Sequence, residues 1–194
     1  MSSATGGYLP STLTPLPGGL TLAQFIQTVI VGISGYPASS VRPSYQVEPP
    51  KQPDVLVDWI AFNIQIIAQD ANAYVGMNEF DVTQLSRQEA INVVCSFYGP
   101  NSGDNVSAFV DGFQVTQNLE ALTAADMGFT ACGFPTRAPE LVNERWVDRY
   151  DVTVTLARKV VRTYQILPFA SAQGTIHTVT EGAEYNSNFT VEPS

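Results

Sequence analysis

Residues 140 to 164 read ELVNERWVDRYDVTVTLARKVVRTY, and the fold turns on how this stretch is divided. From Trp146 onward, Trp146, Tyr150, Val152, Val154 and Leu156 share one face, interrupted at Asp148; Val147, Arg149, Asp151, Thr153 and Thr155 take the other. A period of two marks a half-buried strand. The β-branched and aromatic side chains suit a pleated surface. At about 3.3 Å per residue, Trp146 to Leu156 spans roughly 36 Å, enough to cross a domain. Trp146 is expected in the core as the anchor of this strand. Glu144, Arg145, Asp148 and Arg149 crowd around it as a charge cluster, and such clusters are ordinarily solvated faces.

Upstream, the sequence Ile91, Val93, Cys95, Phe97 alternates with Asn92, Val94, Ser96, Tyr98 and stops at Gly99-Pro100, which predicts a second strand. An earlier strand is predicted where Ile60, Phe62, Ile64 and Ile66 alternate with Ala61, Asn63, Gln65 and Ile67, ending near Asp70. Residues 71–88 carry no decisive pattern. A short strand is expected at Phe129 to Phe134, after a loop at Leu119 to Gly128.

Two helices are predicted. The first has Thr21 as N-cap, Gln24 as its capping-box partner and Leu20 placed to staple onto Phe25. Its Leu22, Phe25, Ile26, Val29, Ile30 and Ile33 recur at helical spacing, and Gly32 and Gly35 mark its exit. The second follows the turn chemistry of Asn101-Ser102-Gly103-Asp104, carries Val106, Phe109, Val110 and Phe113 on one face, and runs to about Asn118. The core expected from these elements includes Phe25, Ile26, Phe62, Phe97, Phe109 and Trp146.

The ends differ in composition. Residues 1–20 hold three prolines and four glycines among Ser and Thr, so an extended N-terminal arm is expected, with Tyr8, Leu9, Leu13 and Leu16 available to lie along a partner. Residues 36–54 carry five prolines and read as an extended connector. Residues 169–194 read as a loosely ordered C-terminal arm or a peripheral strand. The expected organisation is an arm at 1–20, one α+β domain at 21–168 in which two helices pack on an antiparallel or mixed sheet, and an arm at 169–194.

Composition narrows the function. With 9 basic and 18 acidic residues the formal charge is −9, which argues against tight grip on phosphate backbones or an anionic membrane. No apolar run is long enough to cross a membrane, and the N-terminus lacks signal-peptide features, so synthesis in a cytosol is expected. Cys95 and Cys132 stand in no metal-ligand or redox spacing and read as two buried thiols. His177 has no nucleophile or carboxylate motif around it. The carboxylate pairs Asp54/Asp58, Asp104/Asp111 and Glu140/Glu144 lack a partner residue type that would assign a catalytic role. No phosphate-binding, dinucleotide-binding or metalloprotease motif is present in the sequence. Neither an enzymatic activity nor a cofactor or metal is therefore expected.

Two segments, read together, resemble the phage neck or tail terminator proteins that form the joint between head connector and tail. Val94-Cys95-Ser96-Phe97-Tyr98-Gly99-Pro100, followed by the helix carrying Ala108, resembles the family's strand-ending FYG and second helix. Glu144-Arg145-Trp146-Val147-Asp148-Arg149-Tyr150, running into Asp151-Val152-Thr153-Val154-Thr155, resembles its entry to the last long strand. Trp59 to Ile64 after a prolyl connector is similar to the family's first strand. The resemblance covers about residues 20–168 and leaves both arms outside.

The resemblance implies a structural virion protein that forms a homo-oligomeric ring of six or twelve. Its partners would be head connector or adaptor proteins on one side and tail tube or sheath proteins on the other. DNA would pass through the lumen without specific binding; six copies at −9 each would carry about −54. Arg145 and Arg149 would pair with acids of the same or a neighbouring subunit, and the N-terminal arm would reach a neighbour. The alternative reading is a non-catalytic virion decoration or a receptor- or sugar-binding module.

Overall fold

The computed structural model describes residues 12–14, 20–48, 50–77, 83–142, 144–164, 172–180 and 183–191. Its frame is a pair of antiparallel strands of 16 residues each, β5 (Thr83–Tyr98) and β10 (Arg149–Tyr164). Their register runs without a break from Arg149 opposite Tyr98 to Tyr164 opposite Thr83, so the ladder is about 53 Å long at 3.3 Å per residue.

Shorter strands line both edges of this spine. On the β5 side, β3 (Trp59–Gln69) pairs antiparallel with residues 89–98 and β4 (Tyr74–Met77) with residues 83–86. Outside β3 lies β2 (Val41–Pro43), parallel to it over Ile60–Phe62, which makes the sheet mixed. Along the outer edge of β10, three strands follow end to end. These are β1 (Thr12–Thr14), opposite Val161–Thr163; β6 (Met127–Cys132), opposite Val154–Arg158; and β7 (Thr136–Arg137), opposite Tyr150–Asp151.

Two helices cover one face of the sheet, α1 (Leu20–Ser34) and α2 (Ser102–Gly112). The alternation in the strands decides where they sit. Ile60 and Phe62, Ile91, Val93, Cys95 and Phe97, and Val152, Val154 and Leu156 all point to that face and are buried. Leu22, Ile26, Val29 and Ile30 of α1 and Val106 and Phe109 of α2 pack onto them, with Phe25 half-buried against the cluster. Phe97, Phe109, Phe113 and Phe129 form an aromatic chain with centroids 5.1–5.2 Å apart. Burying each such side chain is worth about 1.5–3 kcal/mol. Gly99 ends β5 at φ +111°, where a Cβ would collide with Asp58. Only glycine turns the chain there without strain.

The fold is α+β, and it departs from the sequence reading at several elements. A third, short helix α3 (Glu120–Ala124) stands in the expected loop, preceded by a turn of 3-10 helix at Thr116–Leu119, and buries Leu122 completely. Correspondingly, α2 stops at Gly112, where a Cβ would clash with Ile33 of α1. Helix α1 begins at Leu20, which places Thr21 inside the helix instead of at its cap. The structure also extends β5 eight residues upstream of Ile91.

The largest correction concerns Trp146. The strand does not run from Trp146 into Leu156. Glu144 adopts φ +63° in a turn joining β8 (Glu140–Val142) to β9 (Arg145–Val147), and this hairpin forms its own two-stranded sheet. Asp148, the polar interruption in the alternation, is the break: its carbonyl accepts the Gly99 N–H at 3.1 Å. Trp146 is therefore 71% exposed and outside the core, while its neighbour Val147 is buried.

The terminal segments also have structure of their own. Thr12–Thr14, within the expected arm, pairs with the chain's own β10; Tyr8, Leu9 and Leu16 lie outside the described residues. At the C-terminus, β11 (Ala172–Thr180) and β12 (Ala183–Val191) pair as a separate antiparallel hairpin.

Candidate functional site

At the Tyr98/Arg149 end of the spine, the sheet face opposite the helices carries a small second core of Ala61, Tyr98 and Val147, flanked by Val55, Trp59 and Val142. The β8–β9 hairpin folds over it because Val142 and Val147 are its apolar residues facing the sheet. An ion network secures the join. Arg149 donates from Nε and Nη2 to the two carboxylate oxygens of Asp151 at 2.8 and 2.9 Å, and from Nη1 to Glu140 at 3.2 Å. Its guanidinium lies 5.5 Å from the Tyr98 ring centroid, and Trp59 stacks on the same ring at 4.3 Å. The Tyr98 hydroxyl donates to Glu140 at 3.3 Å. Burial above all pushes the Tyr98 phenol up to about 12, against the opposing pull of Arg149; the Asp151 hydrogen bonds raise the Arg149 guanidinium. Such charge-assisted, bidentate geometry fixes orientation as well as supplying energy.

The network holds a surface in place. Beside it, Arg137 donates to Asp148 at 2.6 Å. On the solvent side stand Trp146, Leu141 (57% exposed) and Phe134 (94%). Arg145 is exposed and borders a groove of about 420 Å³ with Lys51, Asp54 and Val142. Leu141 and Trp146 are direct partners across the β8–β9 pair, so two large apolar side chains are exposed side by side there.

The remaining candidates lie apart from this network. Asp58 accepts the backbone and side-chain N–H groups of Asn101 at 3.0 and 2.8 Å, tying the connector to the start of α2, and Asp54 accepts the Leu56 N–H at 3.1 Å. Asp104 and Asp111 sit exposed on α2, and Glu140 and Glu144 are separated by the hairpin turn. His177 is exposed on β11. Cys95 is buried and unpaired, Cys132 partly buried and unpaired. Among the described residues no group of His, Cys, Asp and Glu is arranged to hold a metal ion, and no helix is long and apolar enough to cross a membrane.

Sequence reasoning singled out Arg145 and Arg149 together, and the structure separates them. Arg149 is satisfied within its own chain, whereas Arg145 faces solvent. What the sequence reading missed is the exposed trio of Phe134, Leu141 and Trp146; the available signal was Asp148 in the middle of an otherwise apolar face.

In comparison with known protein families, the model described as phage neck terminator protein matches residues 20–187. The match runs past residue 168 and takes in β11 and part of β12. No curated protein matches the chain.

Proposed function

The chain belongs to the phage neck terminator protein family, and from that premise we propose that it forms a closed ring at the neck, seated between head connector and tail, with the DNA channel continuing through its lumen. As a structural protein of the virion neck it works through contacts with other head and tail proteins; the proposal adds the ring and the channel.

The observation that carries the reading is the exposed Trp146 on a hairpin held stiff by the Arg149 network. A large apolar side chain displayed on a pre-organised element loses little entropy on docking. Trp146, Leu141 and Arg145 supply one side of the contact with a neighbour, and the N-terminal arm, with Tyr8, Leu9, Leu13 and Leu16, adds a second. A net charge of −9 per copy favours passage of DNA without capture, because capture requires cationic contacts to phosphate.

Class-averaged electron microscopy of the purified full-length chain tests this: closed rings of six or twelve are expected, and a strictly monomeric protein at high concentration would remove the ring. Duplex binding that survives moderate salt would remove the sliding channel.

A further inference from the structure

Two parts of this chain lack partners. The outer edge of β3 is covered by β2 only over Ile60–Phe62, with one further bond from the Ser44 N–H to the Phe62 carbonyl. From Asn63 to Gln69 that edge pairs with no strand among the described residues. Ile66 and Ile67 are 58% and 50% exposed along it. Beside the edge runs a groove of about 260 Å³ lined by Leu22, Tyr45, Phe62, Ile64, Ile66 and Arg158. Arg158, its side chain 8% exposed, is bonded to Glu89 through Nε and Nη2 at 2.9 and 2.7 Å, while its Nη1 is buried with no acceptor among the described residues. An unsatisfied buried donor costs about 1–3 kcal/mol, and an acceptor arriving in the groove would recover it.

The other part is the β11–β12 hairpin. It is not paired with the eight-stranded sheet, and Ile176 and Phe189 are exposed on it. A lone two-stranded hairpin is at best marginally stable in water, yet the family match extends into it. Charge divides the same way. Arg87, Arg158, Lys159 and Arg162, four of the chain's nine basic residues, stand on residues 83–90 and 157–164 of the spine with Glu89 as the one acid there, so this half carries +3 (4 − 1). Residues 172–191 contain Glu181 and Glu184 and no Lys or Arg, giving −2.

We propose that the open β3 edge and its groove receive the β11–β12 hairpin of a second copy, one hairpin strand extending the sheet beyond β3. Main-chain hydrogen bonds would supply affinity, and the apolar groove and opposite charges would supply register and orientation. The contact joins two different surfaces of one chain, so each copy offers a hairpin to one neighbour and an edge to the next, the head-to-tail arrangement from which rings are built when the rotation closes. The hairpin does not pair with its own chain's β3 in this structure, which favours the neighbour. This inference rests on the ring reading above and supplies a contact for it.

The test uses full-length chains carrying Cys132→Ser, with Ile66→Cys in one and Ile176→Cys or Phe189→Cys in the other. Mixed and mildly oxidised, they are expected to give a disulfide-linked pair; a chain carrying both substitutions should give a ladder of linked copies. No disulfide, or only an intrachain disulfide in the doubly substituted protein, overturns the contact. Native mass spectrometry of the same samples separates the two readings. Rings without the disulfide overturn the hairpin contact and leave the ring standing, whereas linked pairs that never close uphold the contact and overturn the ring. Ile66→Lys, an exposed change, is expected to weaken self-association at least tenfold while leaving the thermal midpoint of the dissociated chain unchanged.

Discussion

The two halves of the β5–β10 ladder share one register and one backbone geometry, yet they do different work. In the half from Ile91 to Tyr98, paired with Arg149 to Leu156, the helix-facing positions carry apolar side chains, and α1 and α2 cover them. In the other half, Thr83 to Ala90 against Ala157 to Tyr164, the same face carries Arg87, Glu89 and Arg158. There the buried Arg158–Glu89 pair, with side chains 8% and 3% exposed, takes the place of apolar packing. Thr83 and Val160 are buried on this face as well, so the half combines ladder bonds with a mixed polar and apolar interior. The first half carries the helix-covered apolar core, and the second, a platform, carries an ion pair in its place.

Substitutions in the two halves are expected to differ in size and in kind. The largest effect is expected from Phe97→Ala in the covered half, about 3–5 kcal/mol of stability lost by urea unfolding; a loss under 1 kcal/mol would mean the helix layer does not hold the fold. Next comes Glu89→Ala, which strands Arg158 in a buried position and should cost about 3 kcal/mol, with much of that recovered when Glu89→Leu is combined with Arg158→Met. Failure of the apolar pair to recover stability would show that the platform needs its charges for folding as well.

A smaller effect, about 1–2 kcal/mol, is expected for Arg149→Ala, because its carboxylate partners are half solvated and can turn to water. Tyr98 gives a pH-dependent counterpart. Its folded pKa, raised to about 12 from 10 by burial, means the folded chain keeps a proton that the unfolded chain releases. Its contribution is intact below pH 10 and is lost as pH rises toward 12. Thermal midpoints measured from pH 9 to 12 should fall, and Tyr98→Phe should make the fall shallower. Smallest of all is the stability effect of Trp146→Ala, under about 0.5 kcal/mol because the side chain is exposed, although assembly should weaken clearly; unfolding of the monomer by this change would restore Trp146 to the core.

What could be read from residues alone tracks the same division. Helix α1, β3, the covered part of β5 and β10 from Tyr150 onward all announce themselves, because one face of each is buried and periodicity records burial. Gln84 to Glu89 shows no such alternation, so the uncovered half of β5 was invisible even though it forms a full ladder. Helix α3 is five residues long and buries Leu122 alone, too little for a helical pattern. Trp146 was misplaced because an apolar residue at the right parity looks like the next strand position. Parity cannot register that Glu144 takes a left-handed turn and that Asp148 separates β9 from β10. The exposed surface beside it, the part that bears on function, is legible only once that turn is known.

The helix-covered core folds the chain, and the proposed ring rests on surfaces outside that core, the open β3 edge above all. Native mass spectrometry of the full-length wild type beside Ile66→Lys tests it most directly. The expected result is a closed ring of six or twelve for the wild type and a folded monomer with an unchanged unfolding midpoint for the variant. A wild type that stays monomeric at every concentration, or an Ile66→Lys ring as stable as the wild type's, would contradict it.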